Sequence, residues 1–233
     1  MCMACVWHAY AQVHRATERA TGREVAVKVQ HRGLRAAAAS DMAAVAAVLT
    51  AGNFLFPDDL RLQWVLDELA PHLPLELDFA HEAANLGRCR AFFSADGGGR
   101  ALAGAVATPA VLPALSSHRV LTMSFEAGTS VVDVPGMRAA GLHPADVTAL
   151  LCEAFNAQIF GGGFVHCDPH PGNVLVRPRP GHPGQPQLVL LDHGLYRELP
   201  RGFVVSMHPV HVCACASSHV YGMYTASCRA ASW

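Results

Sequence analysis

The segment His166-Cys167-Asp168-Pro169-His170-Pro171-Gly172-Asn173 limits the possible folds more than any other part of this chain. Two prolines and a glycine within eight residues exclude both a continuous helix and a central strand, so the stretch must be a loop. It follows a helical pattern that ends at Gly161-Gly162-Gly163 and runs into the apolar Val174-Leu175-Val176. The fold must therefore present, between packed elements, a short rigid loop with an Asp and an Asn five positions apart. Downstream, Asp192-His193-Gly194 follows a second apolar strand pattern at Leu188–Leu191. The Pro- and Gly-rich stretch Pro178–Gln187 reads as a hairpin or loop joining short strands at 174–176 and 188–191.

Upstream, residues 9–16 and 24–30 read as two strands around a turn at Thr21-Gly22-Arg23. In the second strand Val25, Val27 and Val29 share one face, while Ala26, Lys28 and Gln30 share the other. Lys28 is the only lysine among the 17 Lys and Arg residues. A compact ammonium and a planar guanidinium are not equivalent toward a phosphate, so a lysine kept in an arginine-biased chain suggests a specific role. Helical patterns follow at 36–51, 58–70 and 76–93. In the last, Phe79, Leu86 and Phe93 form the apolar stripe, and Glu82 falls at its edge, three residues after Phe79 and four before Leu86. Gly97-Gly98-Gly99 opens a loop, Arg119–Phe125 returns as a strand, and Pro144 opens a helix. That helix carries an apolar stripe of Val147, Leu150, Leu151, Ala154, Phe155 and Ile159. Beyond about Val204 no periodicity persists.

Four elements therefore occur in a fixed order: a strand lysine, a helix glutamate, an Asp-to-Asn loop, and an Asp closing an apolar strand. A triphosphate needs a point cation to grip it and oxygen ligands to hold its metal. This order is the layout of a protein-kinase-like phosphoryl-transfer site. Each piece alone has an ordinary reading as an edge charge, a surface carboxylate or a turn; the combination favours the nucleotide site. Composition agrees with a folded enzyme-sized chain, being 52% hydrophobic and 15% charged. A net charge of −1 argues against nucleic acid as a partner. Eight irregularly spaced cysteines point to a reducing compartment. His166, Asp168 and His170 could alternatively be zinc ligands of a hydrolase, and His208, His211, Cys213 and Cys215 have ligand-like spacing without flanking order.

Ala-Gln-Val-His (11–14), Val-Ala-Val-Lys-Val-Gln (25–30), Glu-Leu-Asp-Phe with Glu82-Ala83-Ala84-Asn85, and the loop 166–173 closely resemble the UbiB, or aarF-domain-containing (ABC-one), family of atypical kinases. Leu191-Asp192-His193-Gly194-Leu195-Tyr196, with His where most members have Phe, is similar to the aarF-domain-containing kinase one subgroup. The resemblance implies an α+β, protein-kinase-like two-lobed fold with an incomplete C-lobe. It implies ATP and Mg²⁺ as cofactors, with Lys28 on phosphate, Glu82 paired to it, and Asp168 as the catalytic acid of the loop. Asn173 and Asp192 would be the metal ligands, and Glu76 and Asp78 would match a Glu-X-Asp motif facing the nucleotide. Ala9, Ala11 and Gln12 would end an alanine-rich phosphate loop, and Met123 to Glu126 would form the adenine-side hinge. The family further implies a supporting role in prenylquinone (coenzyme Q) synthesis and lipid homeostasis in mitochondria or plastids, at a lipid or membrane surface with quinone-biosynthesis proteins as partners.

The chain also departs from the pattern. The upstream Lys-X-Gly-Gln segment is absent, and Trp7-His8 places bulk where phosphate should approach backbone. Cys167 and His170 stand where conventional kinases carry Arg and Lys. These departures favour a second reading, a pseudokinase acting as a nucleotide-sensing scaffold. We expect an N-lobe at 1–125, a C-lobe at 126–203, and a fragmentary chain in which 1–8 and 204–233 are foreign to the fold.

Overall fold

A computed structural model describes residues 6–8, 11–55 and 77–207. Ala9, Glu76, the expected helix at 58–70 and the His/Cys cluster at 208–215 lie outside the described residues. In chain order the first strands are β1 (Val6–His8), β2 (Ala11–Thr17) and β3 (Glu24–Gln30), followed by helices α1 (Leu34–Leu55) and α2 (Phe79–Phe92). Next come β4 (Val106–Ala107), β5 (Val120–Ser124), β6 (Thr129–Ser130), α3 (Val134–Ala139) and α4 (Pro144–Asn156). The chain closes on β7 (Phe164–His166), β8 (Val174–Arg179), β9 (His182–Leu190) and β10 (Tyr196–Glu198). Residues 201–207 are helical, so regular structure continues past Val204, where the sequence pattern stops. No helix among the described residues is long and apolar enough to cross a membrane.

The chain groups into two units, residues 1–84 with 110–125 and residues 85–109 with 126–233. Residues 85–109 group with the second unit rather than with the residues on either side of them in sequence. Cys89, Phe93, Leu102, Ala105 and Val106 all belong to that unit's core cluster, which explains the grouping.

The first unit is built on a four-stranded antiparallel sheet in the order β1-β2-β3-β5. Gly22, at a φ of +72°, supplies the left-handed residue of the β2–β3 turn, a conformation that costs glycine nothing. The faces of β3 alternate as the sequence predicts, and Lys28 and Gln30 lie on the covered side. Val29, on the other face, is 36% exposed. The polar face is buried because it finds partners: Gln30 Nε2 donates to the Leu77 carbonyl at 2.9 Å, and Lys28 finds a carboxylate described below. Helix α1 extends the predicted 36–51 helix in both directions. Its alanine-rich sequence has high helical propensity, yet Val48 and Leu55 stay exposed.

The second unit packs α4 and a four-stranded sheet, ordered β4-β9-β8-β6, around one apolar cluster. Val174, Val176, Leu188 and Leu190 of β8 and β9 are fully buried in it, against Val147, Leu150 and Ala154 of α4. The stretch expected as a hairpin or loop at 178–187 is a hairpin, with more of it in strand than the expected 174–176 and 188–191. β8 and β9 continue through it, with Pro178 opposite Pro186 and an irregularity between Pro178 and Arg179. Two prolines can face each other only where the antiparallel ladder requires no N–H, which is why the sequence looked broken there. Helix α4 opens at Pro144, with His143 Nδ1 accepting from the Ala145 amide at 3.3 Å. It passes into a π-helical turn at Ala157–Gly162 and stops at Gly163, whose φ is +61°. Gly97 is fixed by space: a Cβ there would lie 2.2 Å from the carbonyl oxygens of Ala91 and Phe92.

Candidate active site

Strand β3 and helix α2 bring together two of the predicted residues. Lys28 Nζ donates to both carboxylate oxygens of Glu82, at 2.8 and 3.0 Å, across 54 positions of sequence. Both side chains are buried, at 9% and 3% exposure, and Nζ also lies 5.5 Å from the Phe79 ring centroid. Glu82 was expected at the edge of the α2 stripe; at 2% residue exposure it lies within it. Helical spacing explains the position, since residues 79, 82, 86, 89 and 93 fall along one face of the helix and its immediate continuation and are all buried. A buried ion pair is held by mutual necessity. Removing either partner leaves an uncompensated charge and costs about 3–5 kcal/mol.

The other residues predicted for the first unit are placed less directly. Asp78 caps α2, its Oδ1 accepting from the Ala80 amide at 2.9 Å, and its carboxylate also meets His118 Nδ1 at 2.9 Å. Ala11 is fully buried, and Gln12 pairs with Trp7 on one side and Val29 on the other. Met123 is buried in β5, opposite Ala26. The strand ends at Ser124, short of the expected Glu126. That residue belongs to the second unit, where Arg177 takes its carboxylate at 2.9 Å.

In the second unit the loop 166–173 is braced by its own histidines. His166 Nδ1 accepts from the Asp168 amide at 3.1 Å, and His170 Nδ1 accepts from the Gly172 amide at 3.1 Å. Burial holds the His166 imidazole below its ordinary pKa, which keeps it neutral with Nδ1 as acceptor. Asn173, buried in a 3₁₀ turn at Pro171–Asn173, donates its amide to Asp168 Oδ2 at 3.4 Å. The Leu191 amide donates to the Asn173 carbonyl at 2.9 Å, tying the loop to the end of β9. Asp192 follows, its Oδ1 accepting from the Gly194 amide at 3.0 Å. Burial raises the Cys167 thiol above its ordinary pKa, so next to Asp168 it remains a thiol rather than a nucleophile. Asp168, Asn173 and Asp192 offer oxygen donors, the chemistry a hard divalent cation prefers. Among the described residues no three His, Cys, Asp or Glu side chains form a metal cluster.

Several residues that hold the 166–173 loop and the Asp192 segment carried no assigned role in the sequence. Asn85 Nδ2 donates to the His193 carbonyl at 3.0 Å. Gln158 accepts from the His166 amide at 3.0 Å through Oε1, and Tyr196 meets His193 Nδ1 at 3.0 Å. Asn85 could have been found from spacing, because it lies three residues after Glu82 on the same helix. Gln158 and Tyr196 gave no signal, as their roles exist only in the packed structure.

Residues 9–218 match the family described as the ABC1 atypical kinase-like domain. The chain is 42% identical over 199 residues to a putative ABC1 protein, At2g40090, of Arabidopsis thaliana, covering 81% of this chain and 36% of that protein. It is 42% identical over 193 residues to the probable serine/threonine-protein kinase abkD of Dictyostelium discoideum, covering 83% and 26% respectively. Against AarF domain-containing protein kinase 1 of Mus musculus it is 40% identical over 197 residues, covering 83% and 35%. The aligned part is thus between about a quarter and about a third of each relative's length.

Proposed function

The chain belongs to the ABC1 atypical kinase-like family, and from that premise we propose that it binds ATP with Mg²⁺ and catalyses phosphoryl transfer or ATP hydrolysis. The observation that carries this reading is the buried Lys28–Glu82 pair. A lone lysine held at both oxygens of a desolvated carboxylate is a compact cation presented at a fixed point, as phosphate recognition requires. Asp168 would accept the proton of the attacking hydroxyl or water, with the Asn173 amide holding its carboxylate. Asp192 and the Asn173 oxygen would hold Mg²⁺, which when bound neutralises charge on the transferring phosphoryl group. Gly194 and Asn173 keep these carboxylates oriented through backbone and amide donors.

Resemblance further supports a place in prenylquinone synthesis or lipid homeostasis, in mitochondria or plastids and at a lipid surface. The alternative is a pseudokinase that senses nucleotide without turnover, favoured by Trp7 and His8 preceding β2. The test is phosphate release from Mg-ATP by the wild type and by Asp168→Asn, with and without vesicles of anionic phospholipid. We expect turnover in the wild type and a loss of about a hundredfold or more in the variant, with nucleotide binding retained. Binding without any turnover would instead establish the sensing scaffold, and equal turnover in both would remove Asp168 from the mechanism.

A further inference from the structure

His193 directly follows Asp192, and it is wholly buried. A buried imidazole needs partners at both nitrogens, and it has them. Nε2 lies 3.0 Å from the Leu190 carbonyl and Nδ1 lies 3.0 Å from the Tyr196 hydroxyl. A carbonyl only accepts, so Nε2 carries the proton and Nδ1 accepts from the Tyr196 O–H. Burial raises the Tyr196 pKa, which keeps that proton in place. The Tyr196 oxygen in turn meets the Cys89 thiol and the Gln158 amide. Gln158 Nε2 donates to Cys89 Sγ at 3.7 Å while its Oε1 accepts from the His166 amide, which fixes which way the amide faces. One proton order therefore satisfies the whole chain from Gln158 through Tyr196 and His193 to Leu190. The backbone of His193 is held as well, its carbonyl accepting from Asn85 Nδ2. Rings stack along the same line, with Phe164 on Tyr196 at 4.4 Å between centroids and Tyr196 on His193 at 5.7 Å.

We infer that His193 is a positioning residue for Asp192: hydrogen-bonded at both ring nitrogens, it ties the Leu190 backbone before that carboxylate to the Tyr196 side chain after it and so sets the carboxylate for the cation. A phenylalanine would fill the volume but strand the Leu190 carbonyl in the core and remove the link from Tyr196 to it. The role rests on the proposed Mg-ATP reading, in which Asp192 is a metal ligand. Its geometry does not depend on that reading.

The test compares wild type with His193→Phe, Tyr196→Phe and His193→Gln. Gln can still donate to Leu190 and accept from Tyr196. Two measurements are made: the Mg²⁺ concentration that half-saturates ATP turnover, and amide hydrogen exchange across residues 188–196 without nucleotide. We expect both Phe variants to raise half-saturating Mg²⁺ and to speed exchange at these amides, each by about tenfold, with little change in nucleotide binding without metal. The Gln variant should recover most of both. Lower thermal stability with unchanged exchange and unchanged Mg²⁺ dependence would reduce His193 to core filling and overturn the inference. A wild type that takes no Mg-ATP would overturn the proposed function instead, and the exchange measurement would still decide whether His193 holds the loop.

Discussion

Lys28 and Glu82 concentrate the account in two side chains, and their energetics can be tested without any nucleotide. Glu82→Gln keeps the shape of the carboxylate but removes the charge that Lys28 meets at 9% side-chain exposure. We predict a loss of about 3–5 kcal/mol in urea-induced unfolding, a large share of the about 5–15 kcal/mol that typically holds a domain folded. A loss below about 1 kcal/mol would mean that the pair is not closed in solution. Cys89 gives a second residue-scale prediction. Burial pushes its thiol up to about 11, above the ordinary cysteine range. The folded state then keeps a proton that the unfolded state releases, so stability is full below pH 9 and falls as pH rises toward 11. The expected slope is roughly 1 kcal/mol per pH unit in that window, and Cys89→Ala should flatten it. Urea titrations at pH 8, 9 and 10 read the slope directly. An unchanged slope in the variant would remove Cys89 as its source.

At the scale of elements, starts and stops were legible wherever a single residue type carries the physics. Pro144 opens α4 and Gly163 ends the turn after it, each by local stereochemistry visible in the sequence, whereas Asp78 falls inside the expected helix at 76–93 and instead caps α2. Asp78→Ala should cost about 1 kcal/mol through the lost cap, measured by urea unfolding; no change would mean that α2 starts without it. Gly97→Ala should cost more, at least about 2–3 kcal/mol, because its Cβ would meet two backbone oxygens and no side chain can yield. A near-neutral effect of that substitution would contradict the packing of the α2 exit. What the sequence concealed at this scale depends on partners elsewhere in the chain. Prolines at 178, 183 and 186 made the strands of the β8–β9 hairpin read as shorter than they are, because propensity ignores which N–H groups the ladder uses. Glu82 read as an edge residue because hydrophobic periodicity cannot register a buried lysine opposite it.

Across the whole molecule, the family and the fold class were legible where the supporting contacts were not. Lys28, Glu82, Asp168, Asn173 and Asp192 stand out by residue type, spacing and order, and the structure pairs the first two and hydrogen-bonds the next two. Of the residues that hold them, Asn85 is offered by its spacing from Glu82, whereas Gln158 and Tyr196 are common types that acquire roles only in the packed structure. Residues 85–109 grouped with the second unit for the same reason, through core packing that no local pattern encodes. The central claim is that this chain grips a nucleotide through Lys28, and calorimetric titration of Mg-ATP into wild type and Lys28→Arg tests it most directly. The account predicts binding by the wild type and a loss of about tenfold or more in the variant, because a planar guanidinium cannot replace a compact ammonium tied to Glu82. Equal binding by the two proteins would contradict it.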